Sequence, residues 1–185
     1  MKPWKVIDQL YIYQTPFGNL RKDKCLLPNG KIIEEYYVQE LPNWVNAVVL
    51  TKDKNIILVE QYRHGSQKNQ LEIPAGKVED NEDASEAIKR EVKEETGFIS
   101  DYDPILLGEF YVNPAINTNK IKTYLLVESY KAYQQKLDDT EEIKYLSLKF
   151  NKTDELINNK KIEQLFSVTA IYLAKKYLAE NNLIY

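Results

Sequence analysis

The chain has 185 residues, 43% hydrophobic and 29% charged, which is the balance of a globular protein with one sizeable core or a core plus a small appendage. Its 25 basic and 28 acidic side chains leave a formal charge of −3, without the basic excess that a nucleic-acid-binding role brings. The single cysteine, Cys25, excludes an internal disulfide and points to a reducing, cytoplasmic setting; no apolar run approaches membrane-spanning length, and Met1–Lys5 lead into no apolar signal core.

In chain order, residues 9–40 read as short strands over Tyr11–Tyr13, Asn19–Leu26 and Lys31–Gln39, with Pro28-Asn29-Gly30 as the turn of a hairpin. Leu41-Pro42-Asn43 interrupts the pattern. Residues 1–41 are therefore expected to form a small antiparallel β segment, and residues 42–185 the main domain. Trp44–Leu50 and Ile56–Tyr62 are apolar and β-branched, a second hairpin turning at Thr51–Asn55. Leu71–Ile73 is a short strand that stops at Pro74-Ala75-Gly76. Glu82–Thr96 is rich in Ala, Glu, Lys and Arg and is followed by Gly97, which predicts a helix. Ile105–Val112, Lys122–Glu128 and Ile143–Phe150 predict further strands. The chain ends in a short helix, Thr153–Asn158, and a long one, Ile162–Asn181, striped by Leu165, Val168, Ile171 and Tyr172. Strands mixed with flanking helices predict an α/β sandwich.

The chemistry concentrates between Gly76 and Phe98. Glu91, Glu94 and Glu95 stand at i, i+3 and i+4, so a helix carries all three on one face, where like charges repel by roughly a few tenths of a kcal/mol per pair. Such a face calls for a cation, and hard oxygen ligands in this number suit Mg²⁺ or Mn²⁺. Gly76 follows Pro74-Ala75 at a strand end, where a backbone carbonyl can turn toward the same ion. Arg90, four before Glu94 and eight after Glu82, is placed to tie the helix face to the incoming loop. A solvated, charge-laced surface helix is the bland alternative, but the spacing decides against it. Seven fixed identities, each at roughly a tenth of residues or less, coincide at one register with a chance of about one in ten million.

The run Gly76-x5-Glu82-x7-Arg90-Glu91-Val92-x-Glu94-Glu95-x-Gly97-Phe98 resembles the Nudix box at every defined position. Val59-Glu60-Gln61-Tyr62-Arg63 followed by Leu71–Gly76 is similar to the branch that hydrolyses ADP-ribose and other nucleoside diphosphate sugars, as is the strand-rich segment before Trp44. The resemblance implies a Nudix α/β/α sandwich with a mixed sheet, preceded by the N-terminal β segment, and a homodimer in which that segment pairs with or swaps onto a second subunit. It implies divalent metal, Mg²⁺ or Mn²⁺, held by the Ala75 carbonyl, Glu91 and Glu95, with Glu94 as a further ligand or supporting group. It makes Arg63 a phosphate contact and Glu79 a substrate-side acid. The acid that orients or deprotonates water is expected from the loop Leu137–Ile143: Glu141 first, as metal ligand or base, then Asp139 and Glu142.

One departure bears on substrate. ADP-ribose-specific relatives carry Ser-Pro-Gly and then an acid after the box; this chain has Asn113-Pro114-Ala115-Ile116-Asn117-Thr118-Asn119, with Asn119 at the acid's place. Asn119 is thus an expected sugar contact of altered chemistry. The expected reaction is cleavage of the pyrophosphate of ADP-ribose or a related nucleoside diphosphate sugar to a nucleoside monophosphate and a sugar phosphate. The rivals are a nucleoside triphosphate or dinucleotide hydrolase and a non-catalytic nucleotide-binding module, against which the three intact box glutamates count.

Overall fold

The computed structural model describes residues 1–183. They form two compact units: Met1–Asn43 with Phe110–Ile121, and Trp44–Glu109 with the residues from Lys122 onward. Among the described residues no helix is long and apolar enough to cross a membrane.

The first unit is built on a three-stranded antiparallel sheet, β1 (Lys5–Thr15), β2 (Gly18–Leu26) and β3 (Ile32–Glu40), in that spatial order. The Pro28-Asn29-Gly30 turn forms as expected: Gly30 takes φ 81°, and Leu27 and Lys31 close the hairpin. β1 is much longer than the expected Tyr11–Tyr13. It is exposed along all 11 residues, so no in–out alternation marks its ends in the sequence.

The second unit holds the larger mixed sheet, ordered β11 (Ile143–Lys149), β5 (Asn55–Arg63), β4 (Trp44–Thr51), β10 (Lys120–Lys131) and β8 (Phe98–Ile99). β6 (Lys68–Glu72) pairs with β5, β7 (Ala75–Lys77) with β4, and β9 (Ile105–Tyr111) with β10. β7 and β8 were not expected; runs of 3 and 2 residues are too short to carry a period. The helices are α1 (Ala84–Thr96), α2 (Thr153–Asn158) and α3 (Leu165–Glu180). The fold class is the expected α/β sandwich.

Strand geometry explains why the central strands read as continuous apolar runs. Side chains alternate across a sheet, and here both faces are covered. Val45, Ala47, Val49 and Ile57 pack with Ala87, Ile88 and Val92 of α1. Their neighbours Val48, Leu50, Ile56 and Leu58 pack with Ile171, Ala174 and Leu178 of α3. The two helices are thereby pinned to opposite faces.

α1 starts two residues later than expected. Asp83 keeps extended backbone and its carboxylate accepts the Ser85 N–H at 2.7 Å, an N-cap that leaves Glu82 in the loop. Gly97 ends the helix at φ 70°, where a Cβ would overlap the Tyr133 carbonyl. The long C-terminal helix likewise begins at Leu165, because the Gln164 side chain caps Ser167.

Candidate active site

Within the second unit, β5, the β7–α1 loop, the carboxylate face of α1 and the loop before β11 enclose a cleft of about 380 Å³. Of the expected site residues, Arg63, Ala75, Glu79, Glu91, Glu94, Glu95 and Glu141 line it. Asp139 and Glu142 do not: on that loop only Lys136, Asp138 and Glu141 reach the cleft.

Asn119 is placed apart from the other expected site residues. It is 1% exposed, its amide donates to the Pro42 carbonyl at 3.1 Å, and it lines no part of the cleft. Counting positions along a loop gave no sign of which way this side chain turned.

Glu95 is the most buried acid of the cleft, 5% exposed. The Ala75 N–H donates to it at 3.1 Å, tying β7 to the helix. Burial, and after it the neighbouring Glu91 charge, push its carboxyl up to about 8, against the opposing pull of the Ala75 N–H and Arg63. Burial also raises Glu91, with Arg90 opposing and Glu94 and Glu141 assisting. The Glu91 carboxyl lies against the α-carbon of Gly76, so closely that any Cβ there would overlap it. A larger residue at this position would have to push the carboxylate aside.

Arg90 does what its position foretold. Nε and Nη2 each donate at 2.9 Å to the two oxygens of Glu82, and Nη2 reaches the Lys77 carbonyl at 3.2 Å. Glu82, held below the usual carboxylate range chiefly by Arg90, also accepts the Glu79 N–H at 3.0 Å. The same guanidinium donates through Nη1 to Glu91 at 2.8 Å and to Glu94 at 3.2 Å. Part of the repulsion read from the sequence is therefore met inside the chain.

Arg63 is held by Glu72, which is 1% exposed: Nη2 donates at 2.7 Å and Nε at 3.2 Å. Glu72 was missed by sequence reading, although a lone acid beside Leu71 and Ile73, on a strand entering the core, was a signal available to it. The Arg63 side chain is still 43% exposed.

The donor set fits a divalent cation. It consists of hard carboxylate oxygens, and one of them, on Glu95, is buried with its charge poorly matched, so that its carboxyl is pushed upward. Among the described residues no three such side chains already converge as a chelate. Arg90 holds the oxygens of Glu91 and Glu94 instead.

Residues 42–175 match the NUDIX domain model, and residues 4–39 match the nucleoside diphosphate sugar hydrolase N-terminal domain model. The chain belongs to the Nudix family. It is 30% identical over 168 residues to the methanol dehydrogenase activator of Bacillus methanolicus, covering 90% of each chain. It is 27% identical over 174 residues to the ADP-ribose pyrophosphatase of Bacillus subtilis (strain 168), covering 93% of each. A crystal structure of an ADP compounds hydrolase superposes with a TM-score of 0.87 at 18% identity, covering 100% of this chain and 98% of that one; that likeness shows the fold. The expected class, a Nudix pyrophosphohydrolase, is borne out. Nudix hydrolases generally use divalent metals.

Proposed function

We propose that this chain hydrolyses the pyrophosphate of ADP-ribose or a related nucleoside diphosphate sugar with Mg²⁺, for which Mn²⁺ can substitute. The observation that carries the reading is the cleft itself: Glu91 seated on Gly76 and Glu95 buried beside it, facing an arginine that Glu72 holds in place. The likeness to an ADP-ribose pyrophosphatase over nearly the whole chain, N-terminal segment included, supports the substrate class.

Glu91, Glu95 and the Ala75 carbonyl, with Glu94, would hold the metal, which when bound neutralises charge on the pyrophosphate oxygens. Arg63 binds a phosphate through the N–H groups that Glu72 leaves open. Glu141 takes the proton of the attacking water. The water oxygen bonds to one phosphorus, the P–O bond to the bridge breaks, and the bridging oxygen leaves on the other phosphate. Glu141 is preferred to Asp139 and Glu142 because it alone of the three lines the cleft. Glu79, at the rim, is a substrate-side acid.

Residues 42–185 are read as the catalytic domain and residues 1–41 as the segment through which two copies form a homodimer. Exposure of Val6, Leu10, Ile12 and Phe17 supports the second assignment. A reducing cytoplasmic setting accords with the lone, buried Cys25.

The test is a panel of nucleoside diphosphate sugars, dinucleotides and nucleoside triphosphates with Mg²⁺, read by phosphate released after phosphatase treatment. Turnover of at least one diphosphate sugar in preference to every triphosphate is expected. Preference for triphosphates, or no turnover of any member, overturns the reading.

A further inference from the structure

The C-terminal end of α1 is closed almost entirely by one stretch of chain. A helix leaves its last carbonyls without partners, and here residues 131–136 supply them. The Lys131 ammonium donates to the Thr96 carbonyl at 2.7 Å. The N–H groups of Ala132 and Tyr133 both reach the Gly97 carbonyl at 3.0 Å, and that of Lys136 reaches the Glu94 carbonyl at 2.9 Å. The Glu95 carbonyl is taken by a side chain, Gln135, at 2.6 Å.

Gln135 makes a second contact that the others do not. Its amide also donates to the Ile143 carbonyl at 3.1 Å, at the first residue of β11. Both acceptors are carbonyl oxygens, so only the NH₂ side of the amide satisfies them, and its two hydrogens serve one each. The side chain therefore spans the base of the loop Lys136–Glu142, bracketing it between the helix that carries Glu95 and the strand that follows Glu141. Within the bracket the Glu141 N–H donates to the Asp138 carbonyl at 2.9 Å, and the Asp138 N–H donates to the Glu141 carboxylate at 3.2 Å, which turns Glu141 toward the cleft.

We propose that Gln135 is the positioning residue that sets the distance between the loop acid Glu141 and the carboxylate face of α1. The inference rests on the reading of Glu141 as the acid that takes the proton of water. Gln135 touches no substrate; it acts through the loop.

The experiment compares four full-length proteins on the best substrate of the panel: wild type, Gln135→Met, Glu141→Gln and the double variant. Gln135→Met keeps length and volume and loses both N–H donors. A misplacement on the scale of an ångström costs up to a hundredfold in rate, so kcat is expected to fall roughly tenfold to a hundredfold, with KM within about threefold. Mg²⁺ affinity read by calorimetry should stay within about twofold, because Glu91 and Glu95 remain on an intact helix. In the Glu141→Gln background the same substitution should cost less than about threefold, since there is no longer an acid to position. Equal losses in both backgrounds overturn the inference and leave the role of Glu141 standing. A Glu141→Gln enzyme as fast as wild type overturns that role and the inference with it. Weakened Mg²⁺ binding in Gln135→Met would mean that Gln135 supports the helix, which also overturns it. If Gln135→Met does not melt cooperatively, Gln135→Asn carries the same cycle; its amide is one methylene short of spanning both carbonyls.

Discussion

In the N-terminal sheet, acidic side chains are answered by cations from neighbouring positions. Lys22 takes Glu35 at 3.0 Å, Lys24 takes Glu34 at 2.8 Å, and Arg21 lies between Asp23 and Glu40. On α1 the arrangement is reversed: Glu91 and Glu94 share one guanidinium that also serves Glu82, while Glu95 is ion-paired to nothing among the described residues. The protonation behaviour divides accordingly. Glu35 is lowered, chiefly by the Lys22 hydrogen bond, and Glu40 chiefly by the Asn19 amide, whereas burial raises Glu91 and Glu95. The N-terminal sheet satisfies these charges internally. The cleft leaves charge unmet, at a cost in stability that a bound cation would remove.

The largest test of that contrast is Glu95→Gln. Losing one charged ligand of a neutralising metal costs about 4 kcal/mol, so kcat/KM should fall roughly a thousandfold or more. Melting in EDTA should hold steady at neutral pH and rise above about pH 8, where a neutral amide is easier to bury than the carboxylate. A rate within about tenfold of wild type removes Glu95 from the metal set. In the other region, Leu10→Asp with Ile12→Asp places charge on the exposed apolar strand. On the proposed homodimer, the wild type should elute as a dimer by light scattering and the variant as a monomer; an unchanged dimer takes the N-terminal strands out of the interface.

The two regions also predict opposite responses to pH. Glu95 has its folded pKa raised from 4.5 to about 8, so the stability it contributes is present below the unfolded value and is lost as pH rises through the folded one. Urea midpoints of the metal-free protein should therefore decline between about pH 5 and pH 8, and Glu95→Gln should flatten that limb. For Glu40 the folded pKa lies below 4.5, so its contribution is present above that value and is lost as pH falls further. Added Mg²⁺ should restore the upper limb only. A midpoint that rises toward pH 8 in EDTA contradicts the burial assigned to Glu95.

Much of the cleft was legible in the sequence because helical spacing is rigid. Once Glu91, Glu94 and Glu95 occupy i, i+3 and i+4, the backbone leaves little choice about their common face, and Arg90 at i−4 from Glu94 meets them. What could not be read depended on loops and on pairing between distant strands. Asp138 and Lys136 reach the cleft while Asp139 and Glu142 do not, a result of a turn closed by Asp138 and Glu141 whose geometry no spacing rule supplies. Glu72 meets Arg63 across the β5–β6 pair, where Glu72 stands opposite Val59 and the arginine, opposite Lys68, reaches four residues along the strand. The direction of the Asn119 side chain was hidden for the same reason: its neighbour is Pro42, 77 residues away.

The smallest effect expected is at Arg21, and it separates the regions most cleanly. Arg21→Met keeps the aliphatic stem packed and removes the cation shared by Asp23, 3% exposed, and Glu40. An exposed pair contributes about 0–1 kcal/mol and breaking a buried one costs 3–5. With 23% of its side chain exposed, Arg21 falls between, and a loss of about 2 kcal/mol at pH 7 is expected. Glu40 is charged at that pH, so part of the loss is the cost of a carboxylate left with the Asn19 and Tyr11 hydrogen bonds alone. Protonation removes that part. The gap between variant and wild type should shrink as pH is lowered through the carboxylate range, while kcat at pH 7 stays within about twofold. A gap that persists unchanged at low pH would assign Arg21 to packing, and a kcat that falls with stability would mean that the charges of the sheet are not confined to holding it together.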